Sequence, residues 1–136
     1  MYRNVLVGID PAADERGSEA LVVGTQLAED NMAQITALTV LESIPGYLAD
    51  HFAAEAETHA AELAMGRLRE LCGRYSDVKT EIRHGKSAEE ILKYAEVNGV
   101  DCIVVASHKP GFGDYFLGST AARVVRHAAC SVHVIR

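Results

Sequence analysis

No stretch of the 136-residue sequence approaches the roughly 18 consecutive apolar residues that a membrane-crossing helix needs, and no basic leader or cleavage site precedes the first apolar run. These absences predict a cytoplasmic protein with no membrane insertion. Cysteine is scarce: Cys72, Cys102 and Cys130 form no CxxC pair and are odd in number, so a disulfide framework is not expected. Cys102 and Cys130 adjoin apolar runs and read as small buried hydrophobes. Six histidines include no HxxxH or HExxH, and His51 and His59 stand too far apart for a ligand pair on one helical turn, so no metal site is predicted. Positive charge is in deficit, with 13 Lys and Arg against 19 Asp and Glu and a net charge of −6. A nucleic-acid surface needs a basic stripe, so that partner class is excluded. An anionic small ligand is not, because backbone amides and one or two local cations suffice to hold it.

Hydrolytic machinery is also missing. There is no nucleophile elbow and no placeable Cys–His pair. Gly85-Lys86-Ser87 follows an apolar run and opens a helical pattern, as the end of a P-loop does, but the glycine required five residues earlier is Thr80. Lys86 therefore reads as a solvated residue beside a capping box. A receiver domain would want a cluster of acids after its first and third strands, and His84-Gly85 ends the third strand here. No catalytic residue is predicted: Asp10 could orient a water molecule, but one carboxylate without a partner acid or arginine finger makes a weak case for hydrolysis.

The residues that are present alternate in period. Hydrophobic residues make up 49% and charged residues 24%, an ordinary globular balance for one domain over residues 1–136. Apolar, β-branched runs predict strands over residues 4–9, 35–41, 78–84, 102–106 and 131–135. Helical spacing predicts helices over residues 18–29, 53–75 (ending near Gly73), 87–97 and 119–127. Ser87 and Glu90 have the spacing of a capping box for the third helix, and Asn98-Gly99 stops it. Residues 42–50, with Pro45 and Gly46, read as a loop in which Ile44, Tyr47 and Leu48 cover something beneath. The resulting βαβαβαβαβ order makes a parallel sheet with right-handed crossovers and helices on both faces the default.

Residues 100–136 organise the rest. A buried strand delivers the chain into a segment holding Gly111 and Gly113, and Gly118-Ser119-Thr120 then opens a helix. Strand, glycine-bearing loop and helix N-terminus together present N–H groups to a phosphate. Ser107 and His108 leave the strand at its carboxyl end, and Lys109 adds a point charge. From these residues alone, simple turn glycines and an N-cap serine are an equally open reading.

The run SHKPGFGDYFLGSTAARVVRHAACSVHVIR, with NVLVGID at the N-terminus, resembles the universal stress protein family over the whole chain. That family binds ATP phosphates with G-x-x-G-x(9)-G-[S/T]. Here Ala106 and Lys109 stand at the first two glycines, and eight residues, Pro110 to Leu117, separate Lys109 from Gly118. The Ser107-His108-Lys109-Pro110 form resembles a short-loop bacterial subgroup associated with nucleotides. The resemblance implies a single-domain, open, parallel five-stranded Rossmann-like sheet of the adenine nucleotide alpha hydrolase type, in strand order 3-2-1-4-5. A ligand crevice then opens outside strands 1 and 4, where the winding reverses.

The implied nucleotide contacts are Gly8, Ile9, Asp10, Val40, Val105, Ala106, Ser107, His108, Lys109, Gly118, Ser119 and Thr120. Asp10 meets the nucleoside or, read locally, forms a turn beside Pro11; Val40 offers its backbone to the adenine edge or is a core valine. Gly8 stands where relatives often have proline. Mg2+ would accompany ATP through phosphate oxygens and water. Relatives pair through the last strand, which places Val132 and Val134 at the centre of a homodimer. The implied function is an ATP-binding stress-response regulator with a protein partner not written in these residues. A dimer of the same fold that binds no nucleotide, or a slow ATPase, are the alternatives.

Overall fold

A computed structural model describes residues 1–12, 15–42, 51–107 and 117–136 of the chain. The elements run β1 (Asn4–Gly8), α1 (Glu15–Asn31), β2 (Gln34–Leu41), α2 (His51–Cys72), β3 (Val78–His84), α3 (Ser87–Val97), β4 (Cys102–Ala106), α4 (Ser119–His127) and β5 (Ser131–Ile135). All four strand pairings are parallel, and the sheet order is β3-β2-β1-β4-β5. The order implied by the resemblance is the order found. The loop predicted over residues 42–50, with Ile44, Tyr47 and Leu48, lies outside the described residues apart from Glu42.

Strand alternation divides the core in two. Val5, Val7, Cys102 and Val104 meet Ala20, Leu21 and Ala28 of α1 and Leu68 and Cys72 of α2 on one face. Leu6, Leu38, Ile103 and Val105 meet Ala88, Ile91 and Tyr94 of α3 and Ala121 and Val124 of α4 on the other. Covered on both sides, β1 and β4 have no solvent face, which is why their sequences are continuous apolar runs. Helix α1 sits especially close: a Cβ on Gly24 would lie 2.3 Å from Cγ2 of Val7. At the opposite end of β1, the Asp101 carboxylate accepts the N–H groups of Arg3 (2.8 Å) and Asn4 (3.0 Å), tying the start of β1 to the start of β4.

The two edge strands differ in chemistry. On β3, Glu81 pairs with Lys79 at 3.2 Å and with Arg83 at 2.8 Å, and the Arg83 guanidinium lies 5.4 Å from the centre of the Tyr94 ring. Such charges blunt an edge against pairing. Strand β5 carries no Asp, Glu, Lys or Arg; Ser131 and His133 are exposed, and Val132 and Val134 are half-buried.

Two predicted caps are corrected. The N-cap of α3 is Lys86, with no side-chain cap bond, so Glu90 falls one position beyond where a capping box needs it. Gly85 stands just before that cap: at φ +146° it turns the chain as a side-chain-bearing residue rarely does, and the Glu90 side chain lies against it, within 2.9 Å of where a Cβ would stand, instead of reaching back to a cap. For α4 the N-cap is Gly118, and Ser119 is the first helical residue. The first helix also begins earlier than its apolar periodicity indicated, at Glu15 rather than residue 18, and the second ends at Cys72. Cys102 is buried as predicted and Cys72 is buried with it, whereas Cys130, also expected to be buried, is only half-buried.

Candidate functional site

Strand β1 ends at Gly8, between β2 and β4, and its neighbours connect to opposite faces of the sheet. A slot of about 100 Å³ opens at that switch point. Gly8, Ile9 and Asp10 from the end of β1 line it, with Val40 from β2, Val105 and Ala106 from β4, and Thr120 from the first turn of α4. Seven of the predicted contacts therefore converge on one place. The slot adjoins a wider groove of about 660 Å³, sharing Ser87 and Thr120 with it, where Ser119, Lys86 and Arg123 are found. A separate groove of about 540 Å³ at the amino edge of the sheet, bounded by Met32, Tyr75 and Lys79, contains none of the predicted residues.

Backbone pairing explains what the slot presents. The Ile9 N–H donates to the Leu38 carbonyl at 2.8 Å, the last ladder bond between β1 and β2. In a parallel ladder the next β2 carbonyl facing β1 is that of Val40, and its donor would be the N–H of residue 11. Residue 11 is proline, which has none. No ladder bond from β1 reaches the Val40 carbonyl among the described residues, so an acceptor is left at the slot wall.

Asp10 is exposed, and its Oδ1 accepts the Ala12 N–H at 2.7 Å. The turn-forming role is thus realised, and it engages one carboxylate oxygen; Oδ2 has no hydrogen-bond partner among the described residues. Arg67 of α2 donates from Nη1 to the Pro11 carbonyl at 3.4 Å, holding the same turn from across the chain. On the other side of the slot, Ser107 is buried at 5% exposure, and its Oγ accepts the Gly118 N–H at 3.3 Å. The Ser107 N–H in turn donates to the Ile135 carbonyl at 2.7 Å. This serine does not face Asp10 as an exposed group; it clasps the two ends of the loop that joins β4 to α4. His108, Lys109, Gly111 and Gly113 lie outside the described residues.

Four slot residues went unread in the sequence. Pro11 marks only a strand end in the sequence, Leu38 and Ile91 fit their core patterns, and Ser87 fits a helix cap. Gly8 is what admits Ile91: a Cβ there would stand 3.3 Å from Ile91 Cδ1 and 3.2 Å from Val105 Cγ1.

The three cysteine thiols are not poised as nucleophiles. Burial pushes the Cys102 thiol up to about 11, with smaller contributions from Cys130 and Asp101, and burial also raises the Cys72 and Cys130 thiols. Thiols of that kind stay protonated near neutrality and are poor nucleophiles. Among the described residues, no group of three or more His, Cys, Asp or Glu side chains could hold a metal ion, and no helix is long and apolar enough to cross a membrane.

The model of the Universal stress protein family matches residues 1–136. Universal stress protein G of Escherichia coli O157:H7 is 30% identical over 143 residues, with 100% of each chain covered. The solved structure of universal stress protein UspA from Lactobacillus plantarum is 30% identical with a TM-score of 0.78, covering 99% of this chain and 98% of that one. The universal stress protein from Archaeoglobus fulgidus, solved in complex with dAMP, is 16% identical with a TM-score of 0.61, covering 99% and 98%, and shares the fold.

Proposed function

The chain belongs to the universal stress protein family, and from that premise we propose that it binds ATP in the switch-point slot and works as a stress-response regulator. The observation that carries this reading is the meeting of Asp10, Val40 and Thr120 on one base-sized slot. The Val40 carbonyl would accept from the adenine amine and Asp10 from ribose hydroxyls. The phosphates would lie towards the first turn of α4, where N–H groups suit an anion. Mg2+ would ride on phosphate oxygens and water, and Lys109 would add charge. The dAMP held by the Archaeoglobus relative supports an adenine nucleotide as the ligand class. The action we propose is differential affinity of ATP for two loop states, sensed by a protein partner, rather than turnover; among the described residues lining the slot, Asp10 is the only carboxylate.

Calorimetric titration with ATP, with and without Mg2+, tests this directly. Micromolar binding by the wild type is expected, weakened by roughly tenfold or more in Gly118→Val, since a branched side chain beside the Ser107 clasp obstructs the approach to the α4 amides. No heat, with no nucleotide carried through purification, would favour a dimeric module that binds none. Release of labelled phosphate would instead favour the slow ATPase.

Pairing of two copies through β5 is proposed on its edge chemistry. The Ser107 bond to the Ile135 carbonyl shows that alternate residues 131, 133 and 135 turn their backbone groups toward β4, so those of Val132 and Val134 face outward. Val134→Pro therefore removes an outward N–H while sparing the β4 ladder. Sedimentation is expected to give twice the 14.7 kDa chain mass for the wild type and 14.7 kDa for the variant; an unchanged mass would place the interface elsewhere.

A further inference from the structure

We propose that Thr39 is a positioning residue for the slot, its buried hydroxyl setting the direction in which Asp10 presents its carboxylate. Thr39 is 2% exposed and sits in a β-branched strand where valine would fit equally well in shape. Its hydroxyl must therefore be accounted for by its partner. That partner is the Ile9 carbonyl, to which Thr39 Oγ1 donates at 3.0 Å.

The consequence lies one residue on. The Ile9 N–H is held by the Leu38 carbonyl at 2.8 Å, so β2 grips the peptide units on both sides of Ile9. The second of these is the Ile9–Asp10 peptide, whose plane determines where the Asp10 side chain departs. From the other end, the Ala12 N–H fixes Oδ1 at 2.7 Å. A carboxylate constrained at its backbone and at one oxygen has little freedom left for the second oxygen. Among the described residues Thr39 Oγ1 is the donor to this buried carbonyl, so removing it leaves the carbonyl with no donor among them, and the peptide relieves this by rotating toward water. Asp10 then swings with it.

Thr39→Val and Thr39→Ser separate this role from packing, using two readouts. The first is hydrogen exchange of the Ala12 amide in the ligand-free protein, which needs no nucleotide. The second rests on the nucleotide reading above: the ratio of affinities for ATP and 2′,3′-dideoxy-ATP, which differ only in the ribose hydroxyls that Asp10 would bind. In Thr39→Val, Ala12 exchange is expected to rise by about tenfold, and the affinity ratio to fall from roughly tenfold toward one with dideoxy-ATP binding unchanged. Thr39→Ser, which keeps the hydroxyl, is expected to restore both. Wild-type exchange at Ala12 in Thr39→Val overturns the proposal, as does an equal loss of both ligands in both variants. A wild type that binds neither nucleotide sinks the nucleotide reading alone, and Ala12 exchange then decides the role of Thr39.

Discussion

Gly8→Val is expected to give a folded protein whose ATP affinity has fallen by roughly a hundredfold or more, about 3 kcal/mol. The position has no room to spare. A Cβ would already stand 3.2 Å from Val105 Cγ1, 3.3 Å from Ile91 Cδ1 and 3.9 Å from the Val104 carbonyl. Val105 and Ile91 are both buried core residues, so neither can withdraw into solvent. The two γ-methyl groups of valine must then enter the slot, whose volume is only about 100 Å³. Overpacking of this kind costs about 1–3 kcal/mol of stability, partly offset by the better strand propensity of valine over glycine. Gly8→Ala adds a single methyl group and should fall between, with an affinity loss of about tenfold. Titration calorimetry together with thermal unfolding separates lost binding from lost fold. A folded Gly8→Val protein that binds ATP as the wild type does would falsify the assignment of this slot to the base.

Gly8 also shows how far the sequence could be read. Its place at the end of β1 followed from an apolar run closed by Asp10-Pro11. What its missing side chain makes room for did not, because Ile91 arrives from a helix 83 positions later. Asp10 and Ala106, where apolar runs close, and Thr120, opening a helix, were legible as positions, whereas Val40 and Val105 entered only through the resemblance. Strand ends are marked locally by where apolar runs stop, and the strand order that brings them together came from resemblance to relatives, not from periodicity.

Residues that reach the slot from other elements left no such mark. Ile91 satisfies the apolar stripe of α3, so its pattern says core whether or not it also walls a ligand site. Thr39 looks like any β-branched strand residue; only the geometry reveals the 3.0 Å bond from its hydroxyl. Pro11 was visible as a strand terminator, but that it withholds the next ladder donor facing Val40 emerges only from the β1–β2 register. The misplaced capping box has the same origin. Ser87 and Glu90 had the right spacing, yet the helix starts one residue earlier, directly after the Gly85 turn at φ +146°, and a side-chain cap is lost when its register moves by one.

Gly24→Ala is expected to lower stability by about 2 kcal/mol, although alanine is the better helix former by about 1 kcal/mol. The added Cβ would lie 2.3 Å from Val7 Cγ2, with Val7 Cβ at 3.7 Å and Ile35 Cδ1 at 3.5 Å. Val7 is fully buried and β-branched, so its χ1 cannot turn away without entering its neighbours. Helix α1 must lift instead, loosening Ala20, Leu21 and Ala28 from the same core. Combining Gly24→Ala with Val7→Ala tests this mechanism: the pair should be at least about 1 kcal/mol more stable than the sum of the single losses, by chemical denaturation. Simple additivity would mean that α1 does not rest on Val7. The effect should also reach the slot, because residues 9–12 lie between β1 and α1. A helix displaced from Val7 carries with it the far end of the Asp10 turn, so Gly24→Ala should weaken ribose discrimination as well as stability. In the double variant, where α1 can settle back onto the sheet, that discrimination should return.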